Sequence, residues 1–191
     1  LHSFPTRRSS DLKKRASCCD ALCRAAGRLD VPIHPGASEV LLNGPGQPDV
    51  PRFAGIEGRY PYRTEWPEHT AIEFLRRTIR AYPGQVTLLG IGPLTNIALL
   101  LMADPEICGL LKRLVIMCGV FSAGFGHGPG SREWNALVDP VATAIVYRAR
   151  IAEHRSIGLE VTKRCTLSVG EVRSWLEKDS LKVVKDMASV Y

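Results

Sequence analysis

Apolar and polar positions fall in blocks whose periods alternate between helix and strand along the chain. Ala21, Leu22, Ala25 and Ala26 give one apolar face to a helix over 16–27, which Gly27 would close. Val31-Pro32-Ile33-His34 reads as a short strand, with His34 as its end and Pro35-Gly36 as its stop. Residues 43–67 are dense in Gly and Pro and carry no period, which predicts a long loop. Over 68–82, Ala71, Ile72, Leu75 and Ile79 recur at helical spacing, with Arg76, Arg77 and Arg80 around them. The largely apolar run 86–91 predicts a buried parallel strand. Gly92-Pro93 then turns the chain into a helix opening at 94–101, with Thr95 or Asn96 as its cap. A short helix over 105–112 precedes a second apolar run at 114–119. Asp139 is a natural N-cap, and Pro140 sits at the first helical position, where its missing N–H costs nothing. A strand over 157–162 and a helical region over 169–190, with Val172, Leu176, Leu181 and Val184 as its apolar positions, complete the series. This order predicts an α/β fold built on an open, largely parallel sheet with helices on both faces.

The segment from 113 to 148 carries the candidate chemistry. A buried strand ends at Met117-Cys118-Gly119, a glycine-rich loop follows, and Glu133-Trp134-Asn135 precede the Asp139 helix. Ligands of open α/β sheets bind at the carboxyl ends of the strands, where this loop emerges. By residue type alone, Glu133 and Asn135 read as solvated loop residues.

Composition narrows the function classes. The net charge of +6 is concentrated at one end, where Arg7, Arg8, Lys13, Lys14 and Arg15 face only Asp11. The remainder is close to neutral, which argues against a nucleic-acid-binding face. No run approaches the roughly 18 apolar residues of a membrane span. Six cysteines in a chain of 191 residues with an ordinary core read as free thiols in a reducing, cytoplasmic setting, with no His near Cys18, Cys19 and Cys23 to complete a zinc site. Residues 1–12 lack the apolar stretch and cleavage site of a signal peptide. They resemble translated adapter sequence and are read as a disordered, non-native leader, leaving 13–191 as a partial domain.

Four motifs in order are together specific: Ala26-Gly27-Arg28-Leu29-Asp30-Val31-Pro32, Gly92-Pro93-Leu94-Thr95-Asn96-Ile97-Ala98, Glu133-Trp134-Asn135 followed by Asp139-Pro140, and Gly158-Leu159-Glu160-Val161-Thr162. They resemble the inosine/uridine-preferring nucleoside hydrolases. That resemblance implies hydrolysis of a ribonucleoside to ribose and free base in nucleoside salvage, by a homo-oligomer that uses calcium. It gives Glu133, Asn135 and Met117 substrate-binding roles and makes the Ile91 backbone carbonyl a calcium ligand. The family's Asp-x-Asp-x-Gly-x-Asp-Asp cluster, which holds the general base, and its downstream Asp do not occur over 13–191. They are expected before Lys13 and beyond Tyr191, so no catalytic residue is assigned here and the chain by itself is expected to be inactive. Asp139 is read as a helix cap and not as the downstream Asp. Glu160 stands where the family has Asp, and no His matches the family's His-Gly segment near Phe53 to Gly58. The alternative expectation is a non-catalytic nucleoside-binding relative of the same fold.

Overall fold

A computed structural model describes residues 7–42, 50–122, 125 and 132–189, and the side chains from residue 11 onward. Its elements are α1 (Arg7–Ala25), α2 (Thr70–Ala81), β1 (Thr87–Gly90), α3 (Thr95–Ala103), α4 (Ile107–Leu110), β2 (Arg113–Met117), α5 (Trp134–Val138), α6 (Pro140–Arg148), β3 (His154–Ile157), α7 (Leu159–Thr162), α8 (Val169–Leu176) and α9 (Lys182–Ala188). Short 3-10 turns lie at Pro51–Gly55 and Asp179–Leu181. The chain divides into two compact units, one of Leu1–Ser38, Pro48–His69 and Thr166–Tyr191, the other of Glu39–Gln47 and Thr70–Cys165.

The second unit holds the sheet. Its strands run in the order β1-β2-β3, all parallel, with Leu88 beside Leu114 and Leu114 beside His154. One face presents Leu88, Leu114 and Ile116 to a core shared with Ile79 of α2, Ile97, Leu100 and Leu101 of α3, Ile107 of α4 and Val146 of α6. Residues on the other face are more open, Leu89 above all. Because side chains alternate across a strand, this is the pattern of a sheet packed chiefly on one side among the described residues.

At the base of α2 and α3, Arg80 donates to both oxygens of Asp104, at 2.7 and 2.6 Å, and to Glu106 at 2.8 Å. The Arg80 guanidinium holds the Asp104 carboxyl below its ordinary value, against the opposing effect of desolvation. A depressed folded-state pKa stabilises above the unfolded value, about 3.9 for Asp, and that contribution disappears as pH falls through the folded value. Asp104→Asn is therefore expected to lower Tm by a constant amount between about pH 5 and pH 8, with the gap to the parent closing below about pH 4. A gap that persists at pH 2 would assign the loss to packing instead.

The first unit is helical. Cys18 and Ala21 of α1, Ile56, and Val183 and Met187 of α9 form its core, with Phe53, Tyr60 and Tyr62 packed against it. Tyr60 donates to Asp186 at 2.6 Å. Trp66 donates its ring N–H to Ser17 at 3.1 Å, beneath the guanidinium of Arg63 at 3.6 Å from the ring centre.

Several boundaries differ from the sequence reading. Helix α1 begins at Arg7 rather than Ala16, so residues 7–12 of the expected leader are helical, while residues 1–6 lie outside the described residues. Gly27, at φ 66°, does close it: Arg28 N–H reaches Cys23 O and Gly27 N–H reaches Arg24 O, the paired bonds of a helix C-terminus. Residues 31–34 are not a strand, since prolines at 32 and 35 remove ladder donors. β3 starts at His154 and ends at Ile157, and 159–162 are a helical turn. The half-exposed pattern of His154 to Ile157 hides this strand from an apolar count. All six cysteines are free, as the composition suggested.

Candidate ribose-binding site at the strand ends

Two neighbouring parallel strands end side by side, β1 at Gly90, just before Ile91, and β2 at Met117. After Met117 the chain turns at Gly119, whose φ of 83° is a left-handed conformation that suits glycine. It returns at Glu133 to start α5. Glu133 is the N-cap of α5, with its carboxylate accepting from three backbone donors: Asn135 N–H at 2.7 Å, Ala136 N–H at 2.8 Å and Gly119 N–H at 3.0 Å. The side chain is 5% exposed, so Glu133 is not a solvated loop residue. An ionised carboxylate offers about four acceptor positions, so the described backbone donors leave roughly one.

Asn135 is buried beside it. Its side-chain NH2 donates to Met117 O at 2.8 Å and, more loosely, to Ile91 O at 3.4 Å, with Met117 Sδ at 3.3 Å. Those two carbonyl oxygens accept and cannot donate, which sets the orientation of the amide and turns Oδ1 away from them. Asn135 thus ties together the carboxyl ends of β1 and β2. The structure brings all four residues singled out from the sequence into one hydrogen-bonded cluster: Glu133 to Asn135, and Asn135 to Met117 and Ile91. Much of the glycine-rich loop, including His127, lies outside the described residues.

The surroundings are polar and almost fully paired. Asp139 is 1% exposed and caps α6 by accepting Ala142 N–H at 2.9 Å. Its other oxygen accepts Thr95 Oγ1–H at 2.7 Å and Leu41 N–H at 3.0 Å. The cap was legible in the sequence; the bonds to Thr95 and Leu41, 44 and 98 residues away, were not. Thr95 spends its hydroxyl on Asp139 rather than on the first turn of α3, whose N-cap is Leu94 with no side-chain bond. Tyr147 donates to Cys118 O at 3.1 Å. Burial first, and then the Glu133 carboxylate, push the Cys118 thiol up to about 11, so it stays protonated and packs as a small hydrophobe.

Among the described residues, no group of three or more His, Cys, Asp or Glu is placed to hold a metal ion. No described helix is long and apolar enough to cross a membrane.

The sequence profile of the family described as inosine-uridine preferring nucleoside hydrolase matches residues 9–191. Uridine nucleosidase 1 of Arabidopsis thaliana is 33% identical over 182 residues, covering 89% of this chain and 52% of that protein. The non-specific ribonucleoside hydrolase RihC of Escherichia coli O1:K1 / APEC is 38% identical over 147 residues, covering 73% and 46%. Among solved structures, the purine-preferring ribonucleoside hydrolase from Gardnerella vaginalis superposes with a TM-score of 0.76 at 26% identity, over 94% of this chain and 59% of that one. The chain spans about half the length of the curated relatives it matches.

Proposed function

The chain belongs to the inosine-uridine preferring nucleoside hydrolase family, and on that premise we propose that the whole protein hydrolyses the N-glycosidic bond of ribonucleosides to ribose and free base. The observation that carries this reading is the bridge from Asn135 to the ends of β1 and β2, beside a buried carboxylate. A glycosidic bond of this kind breaks through an oxocarbenium-like state, in which charge develops on the sugar ring. Glu133 and Asn135 would bind and orient the ribose: one remaining acceptor position on Glu133 and Oδ1 of Asn135 meet sugar hydroxyls, and Met117 packs beneath. Their anchoring to backbone groups fixes them before substrate arrives, so little ordering is left to binding. Base preference is open to test on the whole enzyme with a panel of uridine, cytidine, inosine and adenosine, following reducing sugar released. Nucleoside binding without turnover would favour the non-catalytic relative.

We further propose that the whole protein takes calcium, with the Ile91 carbonyl as one ligand, and that it acts in salvage as a cytoplasmic homo-oligomer. The ion, when bound, would lower the pKa of an attacking water. The described residues do not by themselves fit it: calcium takes six to eight oxygens, and here one carbonyl faces Asn135 Nδ2 at 3.4 Å. Calorimetry on the 191-residue chain is expected to show no micromolar calcium site. Heat of binding at that level would mean that the ligands lie elsewhere in this chain.

A further inference from the structure

We propose that Glu160 is a positioning residue that fixes the chain where it leaves β2, at residues 119–121, and that residue 158 is glycine because the Glu160 carboxylate occupies the space a Cβ would need. Two contacts from α7 and one from Lys163, its C-cap, support this. Leu159 N–H donates to Gly119 O at 3.0 Å, Phe121 N–H donates to Glu160 Oε1 at 3.1 Å, and the Lys163 ammonium lies 4.9 Å from the centre of the Phe125 ring. The turn α7 thus holds residues 119 and 121 as the chain leaves β2, and the residue that closes it, Lys163, reaches Phe125. The same loop is held from the other side at Gly119, whose N–H is bound by Glu133. Two carboxylates therefore fix amides two residues apart, and only one of them belongs to the proposed ribose site.

Gly158 gives the second, independent line. Its backbone, at φ −80° and ψ 167°, is extended and open to any residue, so conformation does not require glycine. Space does. A Cβ there would stand 2.6 Å from Glu160 Oε1 and 2.7 Å from Cδ, and would overlap Oε2 as well. The carboxylate is folded back over Gly158 to reach Phe121. In that position Oε2 is buried with no hydrogen-bond partner among the described residues. Leaving an acceptor unpaired costs free energy, which the bond to Phe121 N–H offsets in part.

The consequence for sugar binding rests on reading Glu133 and Asn135 as the ribose site; the hold on the loop does not. The test is amide exchange and side-chain NMR on the 191-residue chain, with D-ribose as probe. In the parent, the Phe121 amide should be protected. Glu160→Ala should speed its exchange at least tenfold and shift the Asn135 side-chain NH2 resonances. Gly158→Ala should do the same with Glu160 intact, because the methyl displaces the carboxylate. Glu160→Gln keeps a carbonyl acceptor and should hold protection within threefold. The double variant Gly158→Ala/Glu160→Ala should match Glu160→Ala, since nothing remains to displace. Cys118 N–H, bonded to Ile157 O at 3.1 Å, serves as the control for the sheet and should not change. Unchanged Phe121 exchange in Glu160→Ala or in Gly158→Ala overturns the proposal. So does loss of the fold in both, which would make Glu160 a general stabiliser. D-ribose should shift the Asn135 resonances in the parent and bind at least tenfold more weakly in Glu160→Ala. A parent that ignores D-ribose counts against the ribose site alone, while Phe121 exchange still decides the hold on the loop.

Discussion

Asp139→Ala should lower the stability of the sheet-bearing unit by about 3–5 kcal/mol, a large share of the 5–15 kcal/mol typical of a whole domain. The carboxylate is 1% exposed and accepts from Ala142 N–H, Leu41 N–H and Thr95 Oγ1–H. Alanine leaves all three donors without their acceptor, and each buried orphan costs roughly 1–3 kcal/mol. The lost cap of α6 is part of the same sum, since Ala142 N–H is the capped donor. Asp139→Asn should lose less, about 2 kcal/mol, because one oxygen survives to cap α6 and the Thr95 hydroxyl can reverse its role. What it cannot mend is an amide N–H2 set against Leu41 N–H. Urea titration followed by the sheet's circular dichroism would measure both. A loss below about 1 kcal/mol for the alanine variant would show that water replaces the carboxylate without difficulty.

The same residue shows what could be read from sequence and what could not. Asp139-Pro140 ahead of a helical period is a local signal, and the cap is where that signal puts it. The carboxylate's second oxygen is committed to Thr95 and Leu41. Those partners are distant in sequence, and neither has a spacing that announces the contact. Strands β1 and β2 were legible from the mostly apolar runs Val86 to Leu89 and Leu114 to Met117, although only alternate members, Leu88, Leu114 and Ile116, are buried among the described residues. β3 was placed three residues late because its members His154, Arg155 and Ser156 are polar and its burial is only partial. Its pairing with Leu114 to Met117 defines it, and pairing leaves no trace in its own composition.

Helix α5 escaped the sequence reading because five residues are too few to show a period. Its cap is Glu133, a residue type outside the usual Ser, Thr, Asp and Asn set. The longer side chain is needed here because the carboxylate must reach both its own first turn and Gly119 across the loop. The resemblance to nucleoside hydrolases had singled out Glu133 and Asn135 for their roles on a sugar. The structure adds that both are also structural members of the turn that presents them. On the proposed ribose role a substitution at either position would perturb binding and scaffold together, and only a pair of variants with opposite electrostatic consequences can separate the two.

Asn135 allows such a pair. In the whole enzyme Asn135→Ala is expected to lower kcat/KM at least tenfold, about 1.4 kcal/mol, through loss of one hydrogen bond to the sugar in a desolvated site. Asn135→Asp should be worse, at least hundredfold, or about 2.7 kcal/mol. Its carboxylate would face Met117 O and Ile91 O, two acceptors that now receive N–H at 2.8 and 3.4 Å. Neither carbonyl can donate, so the aspartate must take up a proton or swing out of the bridge. If it takes up a proton, the lost activity should return in part as pH is lowered, because the protonated acid can donate where the amide did. Asn135→Ala has no group to titrate and should keep the parent's pH profile. Should the alanine and aspartate variants both stay within twofold of the parent at pH 7, Asn135 would be scaffold only. Should the alanine variant lose tenfold while the aspartate variant does not, the bridge to the strand ends would be dispensable and the ribose contact alone would matter.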